Sequence, residues 1–410
     1  MSDIVKIPKI LLPKKNVDLS KWAVVACDQY TSEVEYWTAL KNYVQDAPST
    51  LDLILPEVYL TDDNSSYVDK INAKMQEYLD SEFFDEIESL ILVKRKLNNG
   101  SVRLGLMIAV DLEAYEYTMQ NDALIKATEK TVEQRLPIRI EIRQNACLEL
   151  PHIMLLIDDD KGEIIESLYR DSDEFEKVYD FDLNMRGGHI TGYKVPNGEE
   201  VIEKIKKFLL VEHFIARYNR EKGILFAVGD GNHSLATAKE CWNNIKKNLT
   251  SEERENHPSR YALVELVNLH DESLVFEPIH RLLIGAKEDF IDGMLDKFEG
   301  EARVHISYHG SNYVVPVSIN PSDAIKDIQD YIDEYMKNHT EVVEDYIHGD
   351  ENLANLVERF DSIGIYMPTI SKDGFFDYVV RRGVLPRKSF SMGEANDKRY
   401  YLEAKSLVKK

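Results

Sequence analysis

Between Gly223 and Trp242 the chain reads GILFAVGDGNHSLATAKECW, an apolar run that breaks into a glycine-bracketed turn and then into an amphipathic stretch. Ile224 to Val228 is continuously apolar, the pattern of a strand buried on both faces. Leu235, Ala238, Cys241, Trp242 and Ile245 then recur at three- and four-residue spacing, which lays one apolar stripe along a helix. Gly229 to Ser234 therefore form a strand-to-helix loop. Glycines let the backbone approach a ligand closely, and the N–H groups and positive dipole end of the following helix favour an anion, with phosphate the natural candidate. An ordinary Asp-Gly turn with Asn232 or Ser234 as N-cap accounts for the same residues without a ligand. The spacing matches neither the Walker-A pattern nor the dinucleotide-binding fingerprint.

At 410 residues the chain has room for two or three domains, and 43% hydrophobic with 30% charged residues supplies a core without disulfide staples. Cys27, Cys147 and Cys241 are odd in number and show no metal-finger spacing, so reduced thiols and a cytoplasmic setting are expected. The N-terminal MSDIVKIPKILLPKK lacks the long apolar centre of a signal peptide, and no apolar stretch is long enough to span a bilayer. No membrane partner is expected. With 73 acidic against 50 basic residues the formal net charge is −23, which repels polyanions and argues against bulk nucleic acid as a partner. A small anion held in one concave site is compatible with that charge, because backbone amides and one or two cations decide the case locally. A small-molecule ligand is the expected partner, and no feature of the sequence sets an oligomeric state.

Along the chain, Trp22 to Cys27 reads as a buried strand with the polar tip Asp28, Gln29, Tyr30, then a helix from about Ser32 to Val44, so the strand–tip–helix pattern occurs twice. Tyr67 to Phe84 is helical in period. Ile91 to Lys96 and Val102 to Val110 flank Asn98, Asn99 and Gly100 as a hairpin. A helix over Val132 to Asn145, broken at Pro137, precedes a strand over Ile153 to Ile157. A strand pair around Arg186, Gly187 and Gly188 leads to one long helix, Glu199 to Arg220. Tyr261 to Leu269 reads as a strand. Helices over Phe290 to Phe298 and Ala324 to Met336, strands over Ala302 to Ile306 and Val314 to Val317, and strands with loops from Ser362 onward complete a mixed α/β reading. The segments are taken as 1–120, 121–285 and 286–410.

His233 stands where it would meet a phosphate oxygen or act as a general acid or base, or simply cap a neighbouring carbonyl. Asp230 suits a divalent metal or a substrate hydroxyl proton, and also suits a turn. Glu129, in KATEKT, is one carboxylate between a hairpin and a helix. His280 and Arg281, in EPIHRLL, offer an arginine fork for phosphate or a structural salt bridge. Lys388, in LPRKSFSM, is a further cation, either part of an anion site or solvated. Eleven histidines include no HExxH or HxH spacing, so a metal site would need His189, His233 and His280 from separate segments.

Taken together, Asp230-Gly231-Asn232-His233-Ser234, Pro278-Ile279-His280-Arg281-Leu282-Leu283, Thr128-Glu129-Lys130-Thr131, Pro386-Arg387-Lys388-Ser389 and His189 resemble motifs of the bacterial and archaeal family called domain of unknown function 1015. That family is grouped with ParB and sulfiredoxin-like proteins. The family pattern has His where Thr128 and Asn232 stand and Arg where Ser234 stands, so this chain resembles a divergent branch. The resemblance implies a ParB/sulfiredoxin-like core within 121–285, with loop residues on nucleotide phosphates.

On that basis the expectation is an enzyme that binds ATP or another nucleotide with Mg²⁺ and transfers a phosphoryl group to a small hydroxyl-bearing metabolite. Gly229, Gly231, Asn232, Ser234 and His233 would hold phosphates, Asp230 the metal, and Glu129 would act as base. His280, Arg281 and Lys388 would complete the ligand site and offset developing charge. The alternatives are a non-catalytic nucleotide or metabolite sensor and a metal-dependent hydrolase built on His189, His233 and His280.

Overall fold

The computed structural model describes residues 3–61, 63–118, 121–129, 136–386 and 388–408. The protein is mixed α/β and divides into two units, Met1–Leu274 with Glu394–Lys410, and Val275–Gly393.

In the first unit the hairpin signal around Gly100 is realised as Ile91–Lys96 paired antiparallel with Val102–Asp111, Ile91 facing Met107 and Lys96 facing Val102. Arg103 to Asp111 is buried throughout, as a strand covered on both faces should be. From one edge to the other the sheet runs Lys177–Asp182, His189–Lys194, Ile91–Lys96, Val102–Asp111, Tyr261–Asn268, Met154–Ile157, Phe226–Asp230, Ile125–Lys126 and Tyr115–Glu116. Phe226–Asp230 is antiparallel to Met154–Ile157 and parallel to Ile125–Lys126. Its ladder skips Gly229, because Met154 faces Asp230 while Leu155 faces Val228. Such a bulge bends the strand where it ends and turns Asp230 out of the ladder's alternation.

One face of this sheet is covered by a core in which Trp22, Trp37, Leu40, Ile71 and Met75 pack with Ile91, Val93, Met107 and Leu263. Val24–Val25 pairs with Tyr400–Tyr401, Leu11 bridges Ala404, and Trp22 Nε1 donates to the Leu402 carbonyl at 2.8 Å. Residues near position 20 and near position 400 thus close the same core. Elsewhere the helix Leu136–Gln144 packs on the helix Asn232–Ile245.

Four local expectations are corrected. Trp22 belongs to a short helix, Leu19–Trp22, whose N-cap Asp18 accepts from Ser20 N, so the strand that follows is only Val24–Val25. The single helix expected over 199–220 is two, Gly198–Lys207 and Val211–Tyr218. A continuous helix would put Glu212 seven residues after the buried Ile205, on the same face; the break leaves Glu212 exposed. Ser362–Tyr366 is a strand, but Lys372–Arg382 is a helix, because buried Phe375, Phe376 and Val379 recur at helical spacing. Pro137 does not break a helix within the described residues; it lies in the first turn of Leu136–Gln144, where a missing N–H is tolerated. Residues 132–135 of the expected helix lie outside the described residues.

The second unit is a sheet ordered Ser311–Val317, Ala302–Tyr308, Ser362–Tyr366, Phe276–Ile284 and Val343–His348, with Phe390–Met392 paired to the start of Phe276–Ile284. The helices Glu288–Lys297, Pro321–Asn338, Asp350–Arg359 and Lys372–Arg382 belong to it.

Candidate functional site

Gly231 lies between Phe226–Asp230 and the helix Asn232–Ile245 with φ of 80°. A Cβ there would stand 3.0 Å from Ile153 Cα and 3.1 Å from Ile153 Cγ1. The position therefore needs glycine for its left-handed backbone and for the close pass of Ile153. Asp230 Oδ1 accepts from Gly231 N at 3.0 Å, and its Oδ2 faces Lys398 Nζ at 3.6 Å. Asn232 is buried and its Oδ1 accepts from Thr128 N at 3.2 Å, while Thr128 Oγ1 donates to the Val228 carbonyl at 2.6 Å. The segment carrying half-buried Glu129 is thereby tied to the loop. The His233 carbonyl accepts from Thr237 Oγ1 at 2.7 Å, and the N–H groups of Asn232, His233 and Ser234 belong to the first turn, which has no intrahelical acceptors for them.

Ser234 opens a chain of polar contacts that sequence reasoning did not assemble. Its Oγ lies 3.0 Å from His152 Nε2, and His152 Nδ1 lies 3.0 Å from the Tyr401 hydroxyl. Tyr401 donates to Cys27 Sγ at 3.2 Å and accepts from Cys27 N at 3.3 Å. A phenol has one proton, so with that proton on the sulfur side its oxygen accepts from His152, which places a hydrogen on Nδ1 and leaves Nε2 to accept from Ser234. Asp28 Oδ2 stands 3.7 Å from Nε2, beyond hydrogen-bond range but close enough to stabilise an imidazolium.

Burial works against the Asp28 charge, but the neighbouring His152 ring and the guanidinium of Arg139 overcome it and hold the carboxyl well below the usual carboxylate range. Burial, reinforced by Asp28, pushes the Cys27 thiol up to about 11. Burial, with Cys27 and Asp28 beside it, also holds the Tyr401 hydroxyl well above its ordinary range. At neutral pH the cluster therefore contains a charged carboxylate beside a protonated thiol and a protonated phenol.

Ser234, His152, Tyr401 and Cys27 line a cavity of about 140 Å³ whose remaining wall is largely apolar, including Leu53, Leu55, Met75, Ile138 and Ile142. Two guanidiniums reach it, each already matched: Arg139 pairs with Glu57 and Arg143 with Glu149. An apolar wall with a few convergent polar groups is the usual make-up of a small-molecule site.

The other predicted residues have different surroundings. His189 is half-buried at the start of the strand His189–Lys194, between Asp180 and Asp182 at 2.7 Å each. His280, Arg281 and Lys388 belong to the second unit. There His280 Nε2 contacts Asp350 at 2.8 Å and Nδ1 accepts from Met367 N at 3.1 Å. Arg281 is fully buried, donating to Gln329 and to the carbonyls of Ile279 and Lys388, with Glu344 at 3.4 Å and the Tyr346 ring beneath it. Its guanidinium is committed to that packing. Lys388 is exposed with φ of 55°. The cation beside Asp230 is Lys398, which the sequence did not single out. Lys130, Thr131 and Arg387 lie outside the described residues.

No set of three or more His, Cys, Asp or Glu side chains gathers as a metal site among the described residues, so the assembly of His189, His233 and His280 is not formed. Asp230 does not fit a built Mg²⁺ site either, since one oxygen takes Gly231 N and the other faces an ammonium. No helix of the described residues is long and apolar enough to cross a membrane.

Cys27, Asp28, His152 and Tyr401 were the residues sequence reasoning missed. The available signal was the second strand–tip–helix pattern ending in Cys27 and Asp28.

Solved structures with similarity include a conserved hypothetical protein from Pyrococcus furiosus, at 14% identity and a TM-score of 0.35, covering 73% of this chain and 95% of that one. A free serine kinase in complex with AMP matches at 12% identity and a TM-score of 0.38, covering 73% and 92%. SbnI with a C-terminal truncation, from Staphylococcus aureus, matches at 7% identity and a TM-score of 0.35, covering 70% and 82%. No curated protein matches. The profile of the family described as Protein of unknown function (DUF1015) matches residues 10–405.

Proposed function

This chain belongs to the DUF1015 family, and we propose that it binds a phosphate-bearing small molecule, a nucleotide such as ATP, and transfers a phosphoryl group to the hydroxyl of a small metabolite. The observation that carries this reading is the Ser234–His152 pair, 3.0 Å apart where a glycine loop opens a helix onto an apolar-walled cavity. The positive end of the helix that begins at Asn232 suits a phosphate, and the apolar wall suits the organic part of the ligand. His152 moves the proton and Asp28 steadies the imidazolium. Phosphoryl transfer depends mainly on positioning and charge stabilisation, which such a cluster supplies. A ParB/sulfiredoxin-like core around the loop belongs to the same proposal.

A thermal-shift series against ATP, ADP, CTP and GTP, each with and without Mg²⁺, tests it. A ligand at a hundred times its Kd stabilises the fold by about 2.7 kcal/mol. Stabilisation by one nucleotide in wild type that is weakened in His152→Gln, with turnover of an alcohol, supports the enzyme. Stabilisation with no turnover supports the sensor instead, and no stabilisation by any of the four overturns the nucleotide reading.

A further inference from the structure

We propose that Ser234 is a covalent nucleophile, activated by His152, which carries the phosphoryl group between donor and acceptor. What is carried rests on the reading above; the nucleophile itself rests on geometry alone. A nucleophile needs a base within hydrogen-bond reach and a third group that orients the base. Ser234 Oγ is 3.0 Å from His152 Nε2, and Tyr401 holds the other ring nitrogen at 3.0 Å. His152 is 5% exposed, so its ring is held by the protein rather than by solvent.

The neighbouring candidates are less suited to the role. Thr237 lines the same cavity, but its proton is given to the His233 carbonyl at 2.7 Å. Cys27 receives the Tyr401 proton at 3.2 Å and stays a thiol at neutral pH. Ser234 is only part-buried, lines the cavity, and sits in the first turn of its helix.

In the first half-reaction the Ser234 proton passes to His152 Nε2 as Oγ bonds the terminal phosphorus of a nucleoside triphosphate. The bond from that phosphorus to the bridging oxygen breaks, and His152 returns its proton to the departing diphosphate. In the second half the acceptor hydroxyl gives its proton to His152 while its oxygen bonds phosphorus. The Oγ–phosphorus bond then breaks and Oγ takes the proton back, leaving serine free and the acceptor phosphorylated. Tyr401 is a positioning residue in this scheme, and Asp28 stabilises the transient imidazolium.

The full chain is incubated with a biotinylated fluorophosphonate, which labels an activated serine oxygen with loss of fluoride, and separately with ATP with and without Mg²⁺. Peptide mass mapping locates any adduct. The expected result is a fluorophosphonate adduct on Ser234, absent in Ser234→Ala, formed about 100-fold more slowly in His152→Gln. Tyr401→Phe, which keeps the ring, slows it as well and serves if the histidine variant does not fold. Phosphoserine at position 234 after ATP completes the case. No adduct, an adduct elsewhere, or an adduct on Ser234 at an unchanged rate in both variants overturns the nucleophile. An adduct from the fluorophosphonate but none from ATP overturns the phosphoryl-carrying half, whereas ATP turnover without phosphoserine overturns this inference and leaves the proposed function standing.

Discussion

At Gly231 a single methyl group tests the loop. With φ of 80° and Ile153 Cα 3.0 Å from the added carbon, Gly231→Ala strains the backbone and presses on the residue next to His152. The expected loss is about 1–3 kcal/mol of stability by urea unfolding, with weakened ligand stabilisation. Cys27 tests the polar cluster through pH. Its ordinary value is 9.0 and burial raises it to about 11, so between those limits the folded protein holds a proton that the unfolded chain has released. Its contribution is full below pH 9 and is lost as pH rises toward 11. The unfolding free energy of wild type minus that of Cys27→Ala should fall across that range and be flat below it. Alkylation of Cys27 by iodoacetamide should be slow at neutral pH and keep rising with pH, levelling off only above about 11. Fast alkylation at pH 7 would show a thiolate and contradict the burial argument.

Helix caps and periods decide what is readable at the scale of the element. The helix Pro321–Asn338 has Asn320 as N-cap, accepting from Ser322 N at 3.0 Å and Asp323 N at 3.2 Å, with Pro321 at the first position. Asn320→Ala should cost about 1 kcal/mol, read as an earlier unfolding transition, and Asn320→Asp should largely restore it. Long strands and helices with a clean period, such as Val102–Asp111 and Asn232–Ile245, were legible in the sequence, and so was the glycine loop between strand and helix. The division at Phe208–Leu210 was less so, because it depends on where Glu212 would point once the helix is packed. Lys372–Arg382 was missed because Phe and Val favour strands while their spacing here is helical. The site was legible only in its local half. Asp230 to Ser234 are neighbours in sequence, but Tyr401 stands 374 positions from Cys27 and 249 from His152, and no local pattern encodes such a pairing.

For the whole molecule, the segment after Gly393 matters as much as any strand of the sheet. Arg399 donates to Glu265 and Glu403, all three buried, and Gly105 leaves room for Glu265, whose Oε1 would lie 2.0 Å from a Cβ there. Tyr179 donates to the other Glu403 oxygen at 2.6 Å. Arg399→Met removes the paired cation of two buried carboxylates, with Arg103 and Arg95 left beside Glu265, and should lower stability by about 3–5 kcal/mol. Restoring much of that loss by adding Glu265→Gln and Glu403→Gln would identify charge, rather than packing, as the cause. A loss under 1 kcal/mol for Arg399→Met alone would show that the pairing contributes little. The same segment brings Arg95 the carbonyls of Asn396 and Lys398, and brings Trp22 the carbonyl of Leu402. During synthesis Val24–Val25 leaves the ribosome long before its partner Tyr400–Tyr401, with the whole of Val275–Gly393 made between them. At ~5–20 residues per second that interval lasts about 20–75 seconds, during which Trp22 and the two valines have no closing strand. The growing chain is therefore a client for chaperones throughout that wait, and a ribosome stalled within the second unit would release a protein whose first unit has no Tyr401 to hold His152.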